Sequence, residues 1–158
     1  MRKILEAIAL AALTLSFWIT WHALTGPYRL PGKIPTHFDA GGNPNGWGSS
    51  STLLALPVVA LLLYLIMTAA SRLPMAFNST GRISAEKSAS IQILTLQMVT
   101  WIKTELVCLF AGLQGLIVNG ARTGRAALPP LMMPMALVVI FGTVAWHFVA
   151  VFREARRP

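Results

Sequence analysis

Four long apolar runs, separated by polar connections, dominate the pattern of this chain. They cover residues 4–24, 53–70, 91–118 and 131–152. An α-helix rises 1.5 Å per residue, so a run of about 20 residues crosses the hydrocarbon core of a bilayer. The pattern therefore predicts an all-α polytopic membrane protein, a four-transmembrane-helix bundle with an ordered outer loop between helices 1 and 2. We expect a single domain over residues 1–158.

The first run also raises the alternative of a cleaved signal peptide. A signal peptide has an apolar region of about 7–15 residues followed by a small-residue cleavage site. Residues 4–24 form a longer run, and it ends near Trp18, Trp21 and His22. Aromatic residues at that position are typical of a membrane interface. We therefore interpret the run as a retained helix.

Composition supports lipid as the main solvent of the folded chain. Hydrophobic residues make up 55% of the sequence and charged residues 11%, whereas a soluble domain carries about 25% charged residues. The formal net charge of +8 would indicate nucleic acid in a soluble protein. Here most basic residues flank apolar runs, and no basic stripe contains interleaved aromatic side chains. We therefore expect the lipid bilayer as a partner and no nucleic acid.

The basic residues also predict an orientation, because cytoplasmic loops of membrane proteins carry an excess of Lys and Arg. One side of the predicted membrane has eight, namely Arg2, Lys3, Arg72, Arg82, Lys87, Arg153, Arg156 and Arg157. The other side has four, namely Arg29, Lys33, Arg122 and Arg125. The bias places both termini in the cytoplasm, so the loops 25–52 and 119–130 face outward from the cell membrane.

The first outer loop carries the most distinctive segment of the chain, Leu30 to Gly48. Two prolines favour an extended backbone before them, and residues 36–39 alternate as a short strand does. Asn43-Pro44-Asn45-Gly46 fits a type I turn, and Trp47 after it is suited to the membrane interface. His37 and Asp39 share one face if the segment is extended.

A metal site at His37 and Asp39 is one interpretation of this segment, and a hydrogen-bonded loop folded over the bundle is the other. A metal needs further ligands, and only His22 and Asn43 are near in sequence. The spacing of Asp and Asn does not fit a calcium loop, and the lone Cys108 offers neither a disulfide nor a metal cluster. We therefore favour the hydrogen-bonded loop, with no metal and no cofactor.

The third run contains polar residues that are unfavourable in a bilayer unless they face the bundle interior. Gln92, Lys103 and Gln114 are spaced by 11 residues, which returns to within about 20° on a helix and predicts one polar stripe. Glu105 lies on the other side of the helix, so its partner must come from another helix. These residues serve either as interhelical contacts or as a ligand- or proton-binding cavity.

Two further expectations concern depth in the membrane. If helix 3 begins near Ser84, before the apolar run, Lys103 lies nearer the inner half of the membrane and its long side chain extends toward the headgroups. Glu6 and His147 lie at similar predicted depths in helices 1 and 4, so they form a candidate pair. A packing role is favoured for His147.

The segment Leu30 to Gly48 resembles the signature of the DUF1648 family, which also forms the N-terminal part of SdpI-like bacterial inner-membrane proteins. The resemblance rests on Leu-Pro, Ile-Pro-Thr-His-Phe-Asp and Gly-Asn-Pro-Asn-Gly-Trp-Gly within this segment. Trp101 to Glu105 is similar to the third span of the family, where a Lys and a Glu are typical, and the four-span layout is similar as well. Serines at 49–51 and at 79 stand where family members often have Lys and Pro.

The resemblance also implies a function. SdpI-like members are linked to immunity against a secreted toxin and to signalling through a membrane-sequestered repressor. The preferred interpretation is a sensor, an immunity factor or a partner-binding membrane module, in which the outer loop receives a peptide, a small ligand or a protein. The expected binding residues are Pro35, Thr36, His37, Phe38, Asp39, Gly42, Pro44, Asn45, Gly46 and Trp47.

A small transporter or transporter subunit is the alternative, with Gln92, Lys103, Glu105 and Gln114 as a polar path through helix 3. Four spans are few for a complete path, so this alternative requires a homodimer. For an enzyme, no catalytic site assembles, because the sequence has no nucleophile elbow, HExxH motif or phosphate-binding glycine loop. We therefore do not expect an enzyme.

Overall fold

The computed structural model describes residues 1–27, 29–73, 84–125 and 127–156. Its described α-helices are α1 (Arg2–Thr25), α2 (Ala55–Ala70), α3 (Ala85–Thr123) and α4 (Met132–Arg156). Between α1 and α2, strands β1 (Lys33–Phe38) and β2 (Pro44–Ser49) form an antiparallel hairpin, and a 3₁₀ helix, Ser50–Leu54, leads into α2. Arg82 and Arg157 of the orientation count and Ser79 of the family comparison lie outside the described residues.

Four helical segments within the described residues are long and apolar enough to cross a membrane, which confirms the predicted helical membrane fold. Large apolar side chains face outward on α1, α2 and α4, and Val138 and Trp146 of α4 each expose 73% of their surface. Contiguous apolar surface of this kind favours aggregation in water, whereas lipid tails solvate it. The chain is therefore a helical membrane protein.

The long helix α3 lies at the centre of the bundle and contacts α1, α2 and α4. α1 and α3 run in the same direction, because Glu6 contacts Lys103 and Thr20 contacts Gln114. α2 and α4 run in the opposite direction, because the start of each helix lies near the end of α3 and its later residues lie near Lys103 or Glu105. We call the end with the start of α1 the terminal end and the end with β1 and β2 the hairpin end.

The length of α3 exceeds the thickness of the bilayer core. Its 39 residues extend about 58 Å, roughly twice the hydrocarbon thickness. Ser84 caps its start by accepting a hydrogen bond from the backbone N–H of Lys87 at 3.3 Å, so the expected start near Ser84 is confirmed. Gln97 lines a cleft together with Met1. About the first 12 residues of α3, ~18 Å, therefore extend beyond the start of α1.

Two apolar clusters join α1, α2, α3 and the hairpin. Midway along the bundle, Leu13, Ala60 and Val107 bring α1, α2 and α3 into contact. At the hairpin end, Ile34 of β1 and Leu53 of the 3₁₀ helix pack with the ends of α1 and α3. Ile34 is fully buried there, so β1 anchors the hairpin on the helix ends.

The turn of the hairpin differs from the sequence prediction. The predicted type I turn over residues 43–46 is wrong, because β2 begins at Pro44 and the chain reverses over residues 39–42. The N–H of Gly42 donates to the carbonyl of Asp39 at 3.0 Å, and the Asp39 carboxylate accepts from the N–H of Asn43 at 2.8 Å. Gly42 adopts φ +82°, a conformation that favours glycine. The positive-φ glycine and the Asp39 side chain, and not the Asn-Pro pair, place the turn.

Candidate functional site

A cavity of about 330 Å³ lies under the hairpin, at the hairpin end of the bundle. Residues 36–39 of β1 and the turn form one wall, and Leu113 and Ile117 of α3 form another. Residues 128–130, which lead into α4, close a third side. We call this space the hairpin cavity. Part of the segment Leu30 to Gly48 therefore lies beside the membrane-spanning helices, across this cavity.

The polar side chains of the hairpin bond to one another. Nδ1–H of His37 donates to Oδ1 of Asn45 on the opposite strand, and Gly46 pairs with His37 in the ladder. The Asp39 carboxylate accepts its hydrogen bond within the turn, and the side chains of His37 and Asp39 are both exposed. Among the described residues, no three His, Cys, Asp or Glu side chains cluster as a metal ion would require. His37 and Asp39 therefore take part in hydrogen bonds within the hairpin.

The remaining residues of the motif lie around this network. Pro35 is buried and pairs with Trp47 of β2. The Trp47 side chain itself is largely exposed, at the end of the bundle where an aromatic ring can meet the membrane interface. Phe38 and Pro44 form the ladder pair next to the turn.

The two loops at the hairpin end are joined at Gly42. The N–H of Leu128 donates to the Gly42 carbonyl at 2.8 Å. A Cβ on Gly42 would lie 2.1 Å from the carbonyl oxygen of Leu128, far inside van der Waals contact. The hairpin and the loop before α4 therefore form one continuous wall of the hairpin cavity, and only glycine permits their approach.

Lys103 lies in a polar cluster between α1, α2 and α3. Its Nζ donates to Oε1 of Glu6 at 2.6 Å and to Oγ1 of Thr68 at 3.0 Å. The Tyr64 hydroxyl donates to Oε2 of Glu6 at 3.0 Å, and its ring centre lies 4.6 Å from Lys103 Nζ. Lys103 is 2% exposed and Glu6 is 26% exposed, so the expected extension of the Lys103 side chain toward the headgroups is wrong. We call these four residues the ion-pair cluster, and it lies near the terminal end of the bundle.

Gln114 lies in a second polar cluster, nearer the hairpin end. Its Nε2 donates to Oγ1 of Thr20 at 2.5 Å and to the carbonyl of Leu53 at 3.3 Å. Oε1 of Gln114 and Oγ of Ser16 are buried without a hydrogen-bond partner. The apolar cluster of Leu13, Ala60 and Val107 separates this second cluster from the ion-pair cluster. The predicted stripe therefore faces the bundle interior at Lys103 and Gln114, but apolar packing interrupts it.

The other polar residues of α3 have different surroundings. Gln92 is half-buried, in the part of α3 that extends beyond the start of α1. Oε1 of Glu105 accepts a hydrogen bond from Oγ1 of Thr143 on α4 at 2.6 Å, so its partner does come from another helix. Oε2 of Glu105 is buried without a partner.

The candidate pair of Glu6 and His147 is wrong. Both oxygens of Glu6 are bonded within the ion-pair cluster. His147 is buried, and its Nδ1–H donates to the Thr143 carbonyl at 2.9 Å, which is a local helix contact. The difference arises because the Glu6 side chain faces α2 and α3, where Tyr64 and Lys103 bind it, whereas His147 bonds within α4.

Sequence reasoning did not identify Tyr64, Thr68 or Thr143 as members of these sites. A signal for the first two was present, because hydroxyl side chains four residues apart lie on one face of a helix and this pair falls in an otherwise apolar run. Thr143 gives no comparable signal. Its importance depends on the packing of α4 against Glu105, which the sequence pattern does not specify.

The fold and the buried polar clusters define a helical integral membrane protein. Within it, residues 7–61 match the family model of a domain of unknown function, DUF1648. The resemblance inferred from the outer segment is therefore confirmed over these residues. The match covers most of α1, the hairpin and the first part of α2, and the similar stretch Trp101 to Glu105 lies outside it.

A second comparison gives a relative over nearly the whole chain. An uncharacterised protein of Archaeoglobus fulgidus is 26% identical over an alignment 158 positions long, which covers 91% of this chain and 81% of that protein. No solved structure matches the chain.

Proposed function

We propose that this membrane protein is a binding module, a sensor, immunity factor or partner subunit, that receives a peptide or another small ligand in the hairpin cavity. The observation that carries the proposal is the cavity itself. It is bounded at once by the distinctive outer segment, by the loop before α4 and by the spanning helix α3. A volume of about 330 Å³ is at the lower end of ligand pockets, which run from about 300 to 1,000 Å³.

The lining chemistry supports a partly apolar ligand. Leu56, Leu113 and Ile117 present apolar surface at the helix ends, and the exposed His37 and Asp39 lie at the hairpin wall. Ligand pockets commonly combine an apolar lining with a few polar groups that orient the ligand. A peptide with one bulky apolar side chain fits this combination, because the side chain fills the cavity and the peptide backbone meets the polar groups.

A route from the cavity into the bundle supports a sensing role. Leu113 lines the cavity, and the next residue, Gln114, faces α1 and bonds to Thr20. Occupancy that shifts α3 would therefore act on the contact between α1 and α3. Coupling of this kind requires that the ligand bind two arrangements of α3 with different affinity.

The proposed orientation places the hairpin cavity outside the cytoplasmic membrane and both termini in the cytoplasm. Among the described residues, the terminal end has the basic residues Arg2, Lys3, Arg72, Lys87, Arg153 and Arg156. The hairpin end has Arg29, Lys33, Arg122 and Arg125. Labelling of an Asn45→Cys variant, in a Cys108→Ser background, by an impermeant maleimide on intact cells tests this placement. Labelling that requires cell lysis contradicts it.

The binding proposal is tested by filling the cavity. Leu113→Trp should occupy the space, while Leu62→Trp, at a lipid-facing position of α2 that is 52% exposed, is the matched control. Thermal unfolding in detergent is measured with a panel of N-acetylated apolar tripeptides. A tripeptide at 100 times its Kd should stabilise the wild type and Leu62→Trp by about 2.7 kcal/mol and should leave Leu113→Trp unchanged. Equal stabilisation of both variants, or of none of the three proteins by any tripeptide, contradicts the proposal.

The transport alternative has less support from the geometry. A polar path along α3 would have to pass the apolar cluster of Leu13, Ala60 and Val107, so one chain offers no continuous route through the described residues. A homodimer would have to supply it. Ion or solute flux in proteoliposomes that is lost on Lys103→Met would favour transport over binding.

A further inference from the structure

The carboxylate of Glu105 is incompletely paired. Oε1 accepts from Thr143 at 2.6 Å, whereas Oε2 is buried and has no hydrogen-bond partner. The salt bridge of the described residues joins Lys103 to Glu6, and Glu105 has no ion pair among them. An ionised carboxylate within a spanning helix is unfavourable unless a cation or hydrogen-bond donors compensate it.

An open cleft of about 480 Å³ lies beside this carboxylate, between α3 and α4. Gln97 and Trp101 of α3 line one side, and Trp146 and His147 of α4 line the other. The Trp146 side chain is 73% exposed, so the cleft opens sideways toward the surrounding lipid. We call it the Glu105 cleft. It lies near the terminal end, away from the hairpin cavity.

The lining is suited to a cation that carries N–H groups. When the His147 ring is neutral and its Nδ1 donates to the Thr143 carbonyl, its Nε2 is an acceptor. The Glu105 carboxylate and the amide oxygen of Gln97 are acceptors as well. Indole faces attract cations, most strongly where water is excluded. Trp101 and Trp146 therefore add an attraction that an anionic or neutral ligand would not receive.

We propose that the Glu105 cleft binds the protonated primary amine of an amphiphile, with its ammonium group paired with the carboxylate of Glu105, which lines the cleft, and its alkyl chain extending into the lipid beside α4. The amine belongs either to an ethanolamine lipid headgroup or to a free alkylamine. This inference is independent of the hairpin cavity, and its failure would leave the binding proposal for that cavity unchanged.

The test uses the full chain in phosphatidylcholine nanodiscs and dodecylamine as the probe. Replacing the exposed Trp18, Trp21 and Trp47 with Phe leaves Trp101 and Trp146 as fluorescent reporters at the cleft. Titration should give a saturable change in tryptophan emission. Glu105→Gln should weaken the affinity roughly tenfold or more, the effect expected for losing a hydrogen bond to a charged group. Glu86→Gln, which removes the same charge from the exposed first turn of α3, is the matched control and should bind as the parent does.

A second variant keeps the proposal testable if Glu105→Gln does not fold. Gly142 lines the cleft, and a Cβ there would meet no atom within 4 Å. Gly142→Leu therefore keeps the helix and blocks the space, and it should abolish the emission change. Unchanged dodecylamine affinity in a folded Glu105→Gln variant or in Gly142→Leu overturns the proposal. Equal binding of dodecanol also overturns it, because an uncharged ligand would then satisfy the site.

The source of the amine is distinguished by repeating the titration with phosphatidylethanolamine in the nanodiscs. If the lipid headgroup occupies the cleft, the apparent affinity for dodecylamine should fall in those nanodiscs. If a free amine is the natural ligand, the affinity should be the same in both lipids. Either result supports the amine site, provided that the Glu105→Gln variant has lost binding.

Discussion

Replacing Lys103 with methionine removes the cation of the ion-pair cluster and keeps a side chain of similar length in its place. Glu6 would then lose its partner at 2.6 Å while remaining largely surrounded by protein. Breaking a buried ion pair by removing one partner costs about 3–5 kcal/mol. Because Glu6 is 26% exposed and keeps its bond from Tyr64, we expect a loss at or just below the lower end of that range, ~2–3 kcal/mol of unfolding free energy.

Further variants test whether Lys103 and Glu6 stabilise the protein as one pair. Glu6→Gln alone leaves Lys103 buried without its anion and should also be destabilising. The double variant Lys103→Met/Glu6→Gln leaves no unpaired charge in the cluster, so its loss should be smaller than the sum of the single losses by at least about 1 kcal/mol. Lys3→Met, the same chemical change at an exposed position of α1, should stay within about 0.5 kcal/mol of the wild type.

The assay is reversible unfolding in mixed detergent micelles with increasing dodecyl sulfate, followed by circular dichroism. Single losses that add in the double variant to within about 0.3–0.5 kcal/mol would refute the reasoning, because independent sites behave in that way. Such a result would mean that Lys103 and Glu6 are solvated separately and do not form one cluster.

Two further substitutions test packing at the hairpin end. Gly42→Ala should lower the unfolding free energy by about 1–3 kcal/mol, because it combines a positive φ with a Cβ 2.1 Å from a carbonyl oxygen. Gly32→Ala, where a Cβ meets nothing within 4 Å, is its control, and equal effects in thermal unfolding would contradict the assigned close approach. Gln114→Met should cost about 1 kcal/mol. It removes the hydrogen bonds of Nε2 to Thr20 and Leu53, and the removal of the buried Oε1, which has no partner, partly offsets that loss. A loss as large as that of Lys103→Met in the dodecyl sulfate titration would show that the Gln114 amide is satisfied in some other way.

The spans were predictable because lipid imposes a simple rule of length and hydropathy. The run at 131–152 became α4 with small shifts at its ends, and the start of α3 followed from the capping side chain of Ser84. Hydropathy predicts that the third span ends at residue 118, whereas α3 continues to Thr123. Five polar or small residues can extend a helix once lipid no longer has to solvate them, so hydropathy alone misses that extension.

The pairing of polar side chains was much less predictable. Helical periodicity placed Lys103 and Gln114 toward the interior and Glu105 on the other side, because that inference needs only one helix. The choice of Glu6 as the partner of Lys103 depends on the relative heights and rotations of two helices, which no local pattern encodes. The predicted position of the hairpin turn was wrong for a different reason. Two adjacent segments both contain turn residues, and the packing of Gly42 against Leu128 selects one of them.

The first turns of α3 project beyond the start of α1, so a tilt of this helix would move them further than the rest of it. Lys103 anchors it to α1 and α2, and Ala85 lies 18 residues away, about 27 Å along the axis. A rocking of α3 by about 10° around that anchor would displace its tip by roughly 5 Å, while the anchored section hardly shifts. A small tilt at the membrane-embedded part of the helix would thus give, at its tip, a displacement about as large as one helical turn.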